Sequence, residues 1–351
     1  MALLACVIYV HRYTEIDNRV QAGCIMTTTA VVRQELAVAA FKKVYDIGAV
    51  EAALGELGDN ANDALRATYE KMLRIGGLRF CVKPNRMPAF EQIGEDLPNF
   101  LEPLEDVRRQ VALCSETDDR LELSPMLLLG EPGIGKTHFA KHLARVLGTA
   151  CHYVAMSSLT AGWILSGASS QWKNAKPGKV FEALVHGSYA NPVIVIDELD
   201  KASGDANYDP LGALYALLEH DTASSFTDEF AEVPIDAASV VWIATANDVR
   251  TIPEPILNRM NVYEIPAPDH DGARRIAQTI YTEIRDSHAW GARFPEHLDP
   301  TPLDRLAAMK PREMRRAVLH AFGNARLAGR DTVEGTDVEL DRLAKRRPIG
   351  F

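Results

Sequence analysis

Apolar residues along the chain change their spacing three times. From Ala30 to about Ile75 they recur at helical intervals, first as Val31, Leu36, Val38, Phe41, Val44 and Tyr45, then as Leu65, Tyr69, Met72 and Leu73. Gly48, Gly55 and Gly58 interrupt the pattern, which predicts a short helical N-terminal region. Gly76 to Pro103 holds Pro84, Pro88, Gly94, Pro98 and Pro103 with little periodicity, the composition of a linker. Beyond it short apolar runs alternate with amphipathic helical stretches: Pro125 to Leu129, Tyr153 to Met156, Val193 to Ile196, Val240 to Ala244 and Val262 to Ile265. Short apolar runs of this kind, with helices between them, predict a parallel sheet covered on both faces. After Pro268 the strands stop, and Ala273 to Ile284, Pro311 to Leu327 and Asp337 to Leu343 read as helices. The expected fold is α/β. Residues 1–100 form the helical region and linker, 101–268 the sheet with its flanking helices, and 269–351 a small all-helical lid.

Composition narrows the partners. The 351 residues suffice for about two domains. A net charge of -10 disfavours a general grip on nucleic acid or an anionic membrane, and points to protein partners. The cysteines Cys6, Cys24, Cys81, Cys114 and Cys151 are scattered and never spaced C-x-x-C, which indicates neither disulfides nor a thiolate zinc site and fits a reducing cytoplasm. Met1 to Val10 is apolar, but lacks a basic flank and is about half the ~20 residues of a membrane span. Met26, followed by Thr27, Thr28 and Thr29, offers a second start that would leave residues 1–25 outside the native chain.

The chemistry begins where the first strand run ends. Gly130, Glu131, Pro132, Gly133, Ile134, Gly135, Lys136 and Thr137 complete a G-x-x-x-x-G-K-T pattern between a strand and the helical stretch His138 to Leu147. Glycines let successive backbone N–H groups turn toward phosphates, and the helix adds the positive end of its dipole. Lys136 would place a charge at the β- and γ-phosphates of ATP, and Thr137 a hydroxyl on Mg²⁺. His138, next in the helix, completes the candidate nucleotide-binding set.

Val193 to Ile196 runs into Asp197 and Glu198. Two carboxylates at the end of a buried strand are costly without a cation beside them. In a P-loop site Asp197 would hold the magnesium shell and Glu198 would orient and deprotonate the attacking water. The Val240 run continues into Asn247, whose uncharged amide can bond both the lytic water and the γ-phosphate.

With these residues in place the chain resembles the AAA+ superfamily, and within it the ATPase module of Lon proteases, over about Pro125 to Pro268. Asn191 to Lys201, Ser225 to Asp228, Val233 to Asp236, Ile243 to Asn247 and Thr251 to Met260 carry the similarity. The resemblance implies that Arg259 is an arginine finger reaching a neighbouring subunit's ATP, and hence a ring, usually a hexamer. It makes Arg312, in Pro311-Arg312-Glu313-Met314-Arg315-Arg316, the lid's γ-phosphate sensor, with Arg315 as competitor because Lys310-Pro311 replaces the small residues of the family. Gln171 to Lys179 lies where Lon-like ATPases place a substrate-gripping pore loop. Trp172 stands for its aromatic, while Lys173 and Lys176 depart from the family pattern. A Trp packed into the domain core is the other reading of Trp172.

Lon proteases continue past the lid into a peptidase domain, whereas this chain ends at Phe351. The resemblance therefore implies the motor without the protease: an ATP-hydrolysing ring that remodels, unfolds or translocates protein substrates, with a separate peptidase or effector as a possible partner. A DNA-associated loader or regulator, using Arg312, Arg315, Arg316, Lys345, Arg346 and Arg347, and a slowly turning ATP-gated scaffold are the alternatives.

Overall fold

The computed structural model describes residues 37–58, 62–84, 87, 90–156, 163–172, 174–202 and 209–339, all within one compact unit. The first described element corrects the helical reading over Ala37–Lys43 alone. Ala37–Lys43 is a strand, β1, and it pairs antiparallel with β2, Leu78–Pro84, from within the expected linker. Between them lie helices α1 (Ile47–Glu56) and α2 (Asp63–Ile75), each capped by an Asx side chain, Asp46 and Asn62. Cross-strand pairing overrides local spacing here: every residue from Ala37 to Lys43 has a partner on β2, and Phe41 lies 5.1 Å from its partner Phe80.

Two buried polar residues dock this unit on the segment that leads into the main sheet. The Arg79 guanidinium donates to the carbonyls of Leu184, Val185, Gly76 and Leu78. Asn191, 1% exposed, accepts from Val82 N at 2.9 Å and donates to Val82 O at 2.6 Å. Val50, Leu65, Tyr69 and Met72 accordingly share one apolar cluster with Ile194 and Trp242 of the main sheet.

From Phe90 onward the expected linker forms α3 (Phe90–Asp96), a 3-10 turn at Pro98–Phe100 and the start of α4 (Leu101–Cys114). Then come β3 (Met126–Leu129), α5 (Lys136–Leu147), β4 (Cys151–Ala155), β5 (Val193–Asp197), the short hairpin β6 (Phe226–Thr227) and β7 (Pro234–Ile235), β8 (Val241–Ala246) and β9 (Asn261–Glu264). All five predicted runs form one parallel sheet in the order β4–β5–β8–β3–β9. Its residues alternate between two cores. Leu127, Ile194, Ile196, Trp242 and Ala244 join the cluster on one face, and Met126, Leu128, Val193, Val195, Val241 and Ile243 join Phe139, Leu143 and Leu147 of α5 on the other. Burial on both faces is why β3, β5 and β8 read as unbroken apolar runs, whereas the edge strands β4 and β9 are partly exposed.

The lid holds helices His270–Asp286, Pro300–Ala307 and Pro311–Leu327 around Tyr281 and Phe322, whose rings stack at 4.8 Å. Pro300–Ala307 was not anticipated. Of the expected helix Asp337 to Leu343, the described part holds only the end of a 3-10 turn, Gly335–Asp337. Residues 1–36, including the second start at Met26, and the basic tail at 345–347 lie outside the described residues.

Candidate functional site

Strand order brings three loops together. In a parallel sheet the chain leaves every strand at the same edge, and β5, β8 and β3 are neighbours there. Leu129 of β3 lies beside Ala246 of β8, and Ile196 of β5 beside Ala244. The loops after these strands therefore juxtapose Gly130 to Thr137, Asn247, and Asp197 with Glu198.

The loop after β3 is shaped as a cradle. Gly133 and Gly135 take φ of +84° and +109°, conformations that carry a steric cost for any residue with a Cβ. A Cβ on Gly130 would stand 2.6 Å from Ile265 O. Gly135 caps α5 without a side-chain hydrogen bond, leaving the first-turn N–H groups to an incoming acceptor. Lys136 is 8% exposed, and its ammonium donates to Gly130 O at 2.6 Å, Glu131 O at 3.0 Å and Asn247 Oδ1 at 2.9 Å. Burial pulls its pKa down, against the attraction of Asp200, Asp197 and Glu198.

Across the loop, Asp197 Oδ1 accepts from Thr137 Oγ1 at 3.1 Å and from Thr245 Oγ1 at 2.7 Å. Thr245 Oγ1 also accepts from Glu198 N at 3.0 Å. Thr245 thus fixes both acids, a role the sequence reading missed. Its signal was a hydroxyl inside the apolar run Val240 to Ala246. Glu198 has φ 57° and ψ 51°, the left-handed region where a non-glycine residue is strained, and such strain collects at functional positions. Asp200 adds a third carboxylate that is buried and without a hydrogen-bond partner among the described residues.

The lid closes one side, and here the two competing arginines part. Arg312 N donates to Gly133 O at 3.3 Å, and a Cβ on Gly133 would meet Arg312 Cβ at 3.1 Å. Arg315 points elsewhere, donating to Glu283 Oε2 at 3.0 Å. Lys310 reinforces the closure through an ion pair with Glu131 at 2.6 Å. His138 lies against His142, the rings tilted at 48° with centroids 4.3 Å apart.

The cradle, the lysine and the acids fit a triphosphate with its magnesium. Lys136 and the N–H groups that open α5 would hold the phosphates, while Thr137 and Asp197 would hold the cation.

Arg259 and Trp172 are not drawn into this cluster. Arg259 Nε stands 2.8 Å from Glu219 Oε1, too poorly aligned for a hydrogen bond, while Nη1 donates to Pro255 O at 2.6 Å. The Tyr215 ring lies 6.0 Å from its guanidinium. Trp172 is 51% exposed, which removes the core-packing reading. It opens a tight turn in which its carbonyl accepts from Ala175 N, with Asn174 at φ 67°. Trp172 lines a cavity of about 510 Å³ together with Trp163, another exposed aromatic that the sequence reading passed over. Asp228 fixes the end of this segment by accepting from Gly178 N at 2.8 Å. Lys173 lies outside the described residues.

A strand–glycine loop–helix unit beside a strand end that carries two acids, with a helical lid, defines a P-loop nucleotide-binding protein. Residues 126–266 match the ATPase family associated with various cellular activities, AAA. Lon protease 1 of Thermus thermophilus is 36% identical over 156 residues, 44% of this chain and 20% of that protein. The mitochondrial Lon protease homolog of Aspergillus niger is 37% identical over 153 residues, 44% of this chain and 14% of its own. This segment is an AAA ATPase-family domain, homologous to the ATPase region of Lon proteases. The chain spans less than a quarter of the length of the curated relatives it matches. The fold likeness extends to Hsp104 solved with ATPγS and FITC-casein, at a TM-score of 0.54 and 16% identity over 78% of this chain and 50% of that one. Among the described residues no helix is long and apolar enough to cross a membrane.

Proposed function

We propose that this chain hydrolyses ATP as one subunit of a cytoplasmic ring, usually a hexamer, that remodels, unfolds or translocates protein substrates. The juxtaposition of Lys136, Thr137, Asp197 and Asn247 beneath Arg312 carries the reading. Bound Mg·ATP supplies the γ-phosphoryl group and the cation that neutralises it. Lys136 exchanges its loop carbonyls for phosphate oxygens, and Thr137 and Asp197 hold the cation. Glu198, strained and fixed at its N–H by Thr245, takes the proton of the attacking water. Asn247 orients that water, and Arg312 meets the developing charge from the lid side.

Arg259 would serve a neighbouring subunit, which requires it to leave Glu219. Trp172 supplies a broad, exposed surface that wedges against an unfolded chain without reading its sequence. The similarity to Lon ATPase regions supports protein over DNA as the substrate, as does the net charge of -10.

Glu198→Gln tests the centre of this reading. The variant should bind ATP and assemble while its turnover falls at least about 100-fold. Turnover near that of the wild type would remove Glu198 as the base. Unfolded protein such as casein should stimulate the wild-type ATPase, and Trp172→Ala should abolish that stimulation. Stimulation by DNA alone would overturn the assignment to protein substrates.

A further inference from the structure

The helix that follows the phosphate loop carries a second constellation. His138 and His142 stand one turn apart on α5, a spacing that places both imidazoles on one face. That face meets Glu283 of lid helix His270–Asp286. One donor atom from each of the three lies within 4.8 Å of the others, and all three side chains are half-buried. Among the described residues neither imidazole has its nitrogens taken by a hydrogen bond, and the two rings lie in tilted contact, their centroids 4.3 Å apart. The carboxylate is already oriented, because Glu283 Oε2 accepts from Arg315 Nη1 at 3.0 Å, while among the described residues the other oxygen accepts no hydrogen bond.

We propose that His138, His142 and Glu283 bind a transition-metal ion of the Zn²⁺ class that clamps the lid to the phosphate-loop helix. Two imidazoles and a carboxylate form a borderline-soft donor set that suits zinc and excludes a preference for magnesium or calcium. Ligand atoms in a tetrahedral zinc site stand roughly 3.4 Å apart, so closure of about 1.4 Å at most is needed. Rotation about the side-chain torsions of three half-buried residues covers that distance. Three protein ligands leave a fourth position for water, but the residue after His138 is Phe139, buried in the core, where a hydrolytic zinc helix has its glutamate base. The site is therefore a clamp.

Its placement gives the clamp a consequence. α5 begins with Lys136 and Thr137, and Glu283 lies on the helix that packs against Pro311–Leu327, the bearer of Arg312. The ion ties together both walls of the nucleotide cleft, so bound metal slows nucleotide exchange. This regulatory part rests on the ATPase reading above, whereas metal binding does not.

The test uses the full chain without a polyhistidine tag, stripped with chelator and titrated with ZnCl₂ in the absence of nucleotide. One equivalent should bind per chain and raise the melting temperature. His142→Ala and Glu283→Gln should each weaken binding at least tenfold and remove the stabilisation, while Cys151→Ser should retain both. Glu283→Gln preserves side-chain size and guards against a fold defect in His142→Ala. Binding of equal strength in the wild type and both variants, or none in the wild type, overturns the site. A fluorescent ADP should then leave the zinc-bound wild type several-fold more slowly than the metal-free protein, with no zinc effect in Glu283→Gln. An unchanged release rate with intact zinc binding overturns the clamp and leaves both the metal site and the ATPase reading standing.

Discussion

Asp228 offers the sharpest physical test of how the Trp172 segment is held. Its side chain is fully buried, and the carboxylate accepts from Gly178 N at 2.8 Å, Phe230 N at 3.0 Å and Ala231 N at 3.2 Å. Burial outweighs these three donors and pushes its pKa up to about 6. The folded pKa then exceeds the unfolded one, so the folded state keeps a proton that the unfolded chain has released. Stability from this group is complete below the unfolded value and is lost as pH rises through about 6. A gap of about two units amounts to roughly 3 kcal/mol in all, of which about 1 kcal/mol falls between pH 5 and pH 7. Asp228→Asn removes the titration. Its amide must face one backbone N–H donor-to-donor, which adds an offset independent of pH. Urea unfolding of both proteins at pH 5, 6 and 7 reads the difference directly, and the wild type should lose about 1 kcal/mol relative to the variant across that range. A gap that stays flat with pH would refute the reasoning, and would show that the three N–H donors keep Asp228 ionised.

Two further outcomes rest on the contacts of Arg312 and Asn191. Arg312→Ala should lower ATP turnover by about 100-fold, at least tenfold more than Arg315→Ala, because only Arg312 lies over Gly133; equal losses in a steady-state ATPase assay would reject that assignment. Asn191→Ala leaves Val82 N and Val82 O buried without partners and should cost about 2–4 kcal/mol in chemical denaturation, whereas a loss below about 1 kcal/mol would mean that the β1–β2 unit does not depend on this amide.

What the chain discloses by itself depends on which interactions are local. The three inner strands were legible because both their faces are buried, as Val193 to Ile196 shows, and an unbroken apolar run is the residue-level record of that burial; the edge strands β4 and β9 are partly exposed and were legible only as shorter apolar stretches. The phosphate loop was legible because its glycines answer to backbone angles at Gly133 and Gly135, which depend on a few consecutive residues. Helix Pro311–Leu327 was legible from its period and from proline at its first turn.

Other features depend on partners far along the chain. Ala37–Lys43 carries helical spacing and is a strand because Leu78–Pro84 pairs with it, and Arg79 and Asn191 gain their roles only where the two units meet. Thr245 becomes a bridge only when β8 lies beside β5. The choice between Arg312 and Arg315 turns on which way two residues of one helix face once the lid is docked, and no local pattern encodes that docking. Sequence alone determined the nucleotide loop and the strands around it, because dihedral demands and burial act on neighbouring residues. Tertiary structure alone decided which polar groups converge, because hydrogen bonds and ion pairs span only about 3–4 Å and join residues that the chain keeps far apart.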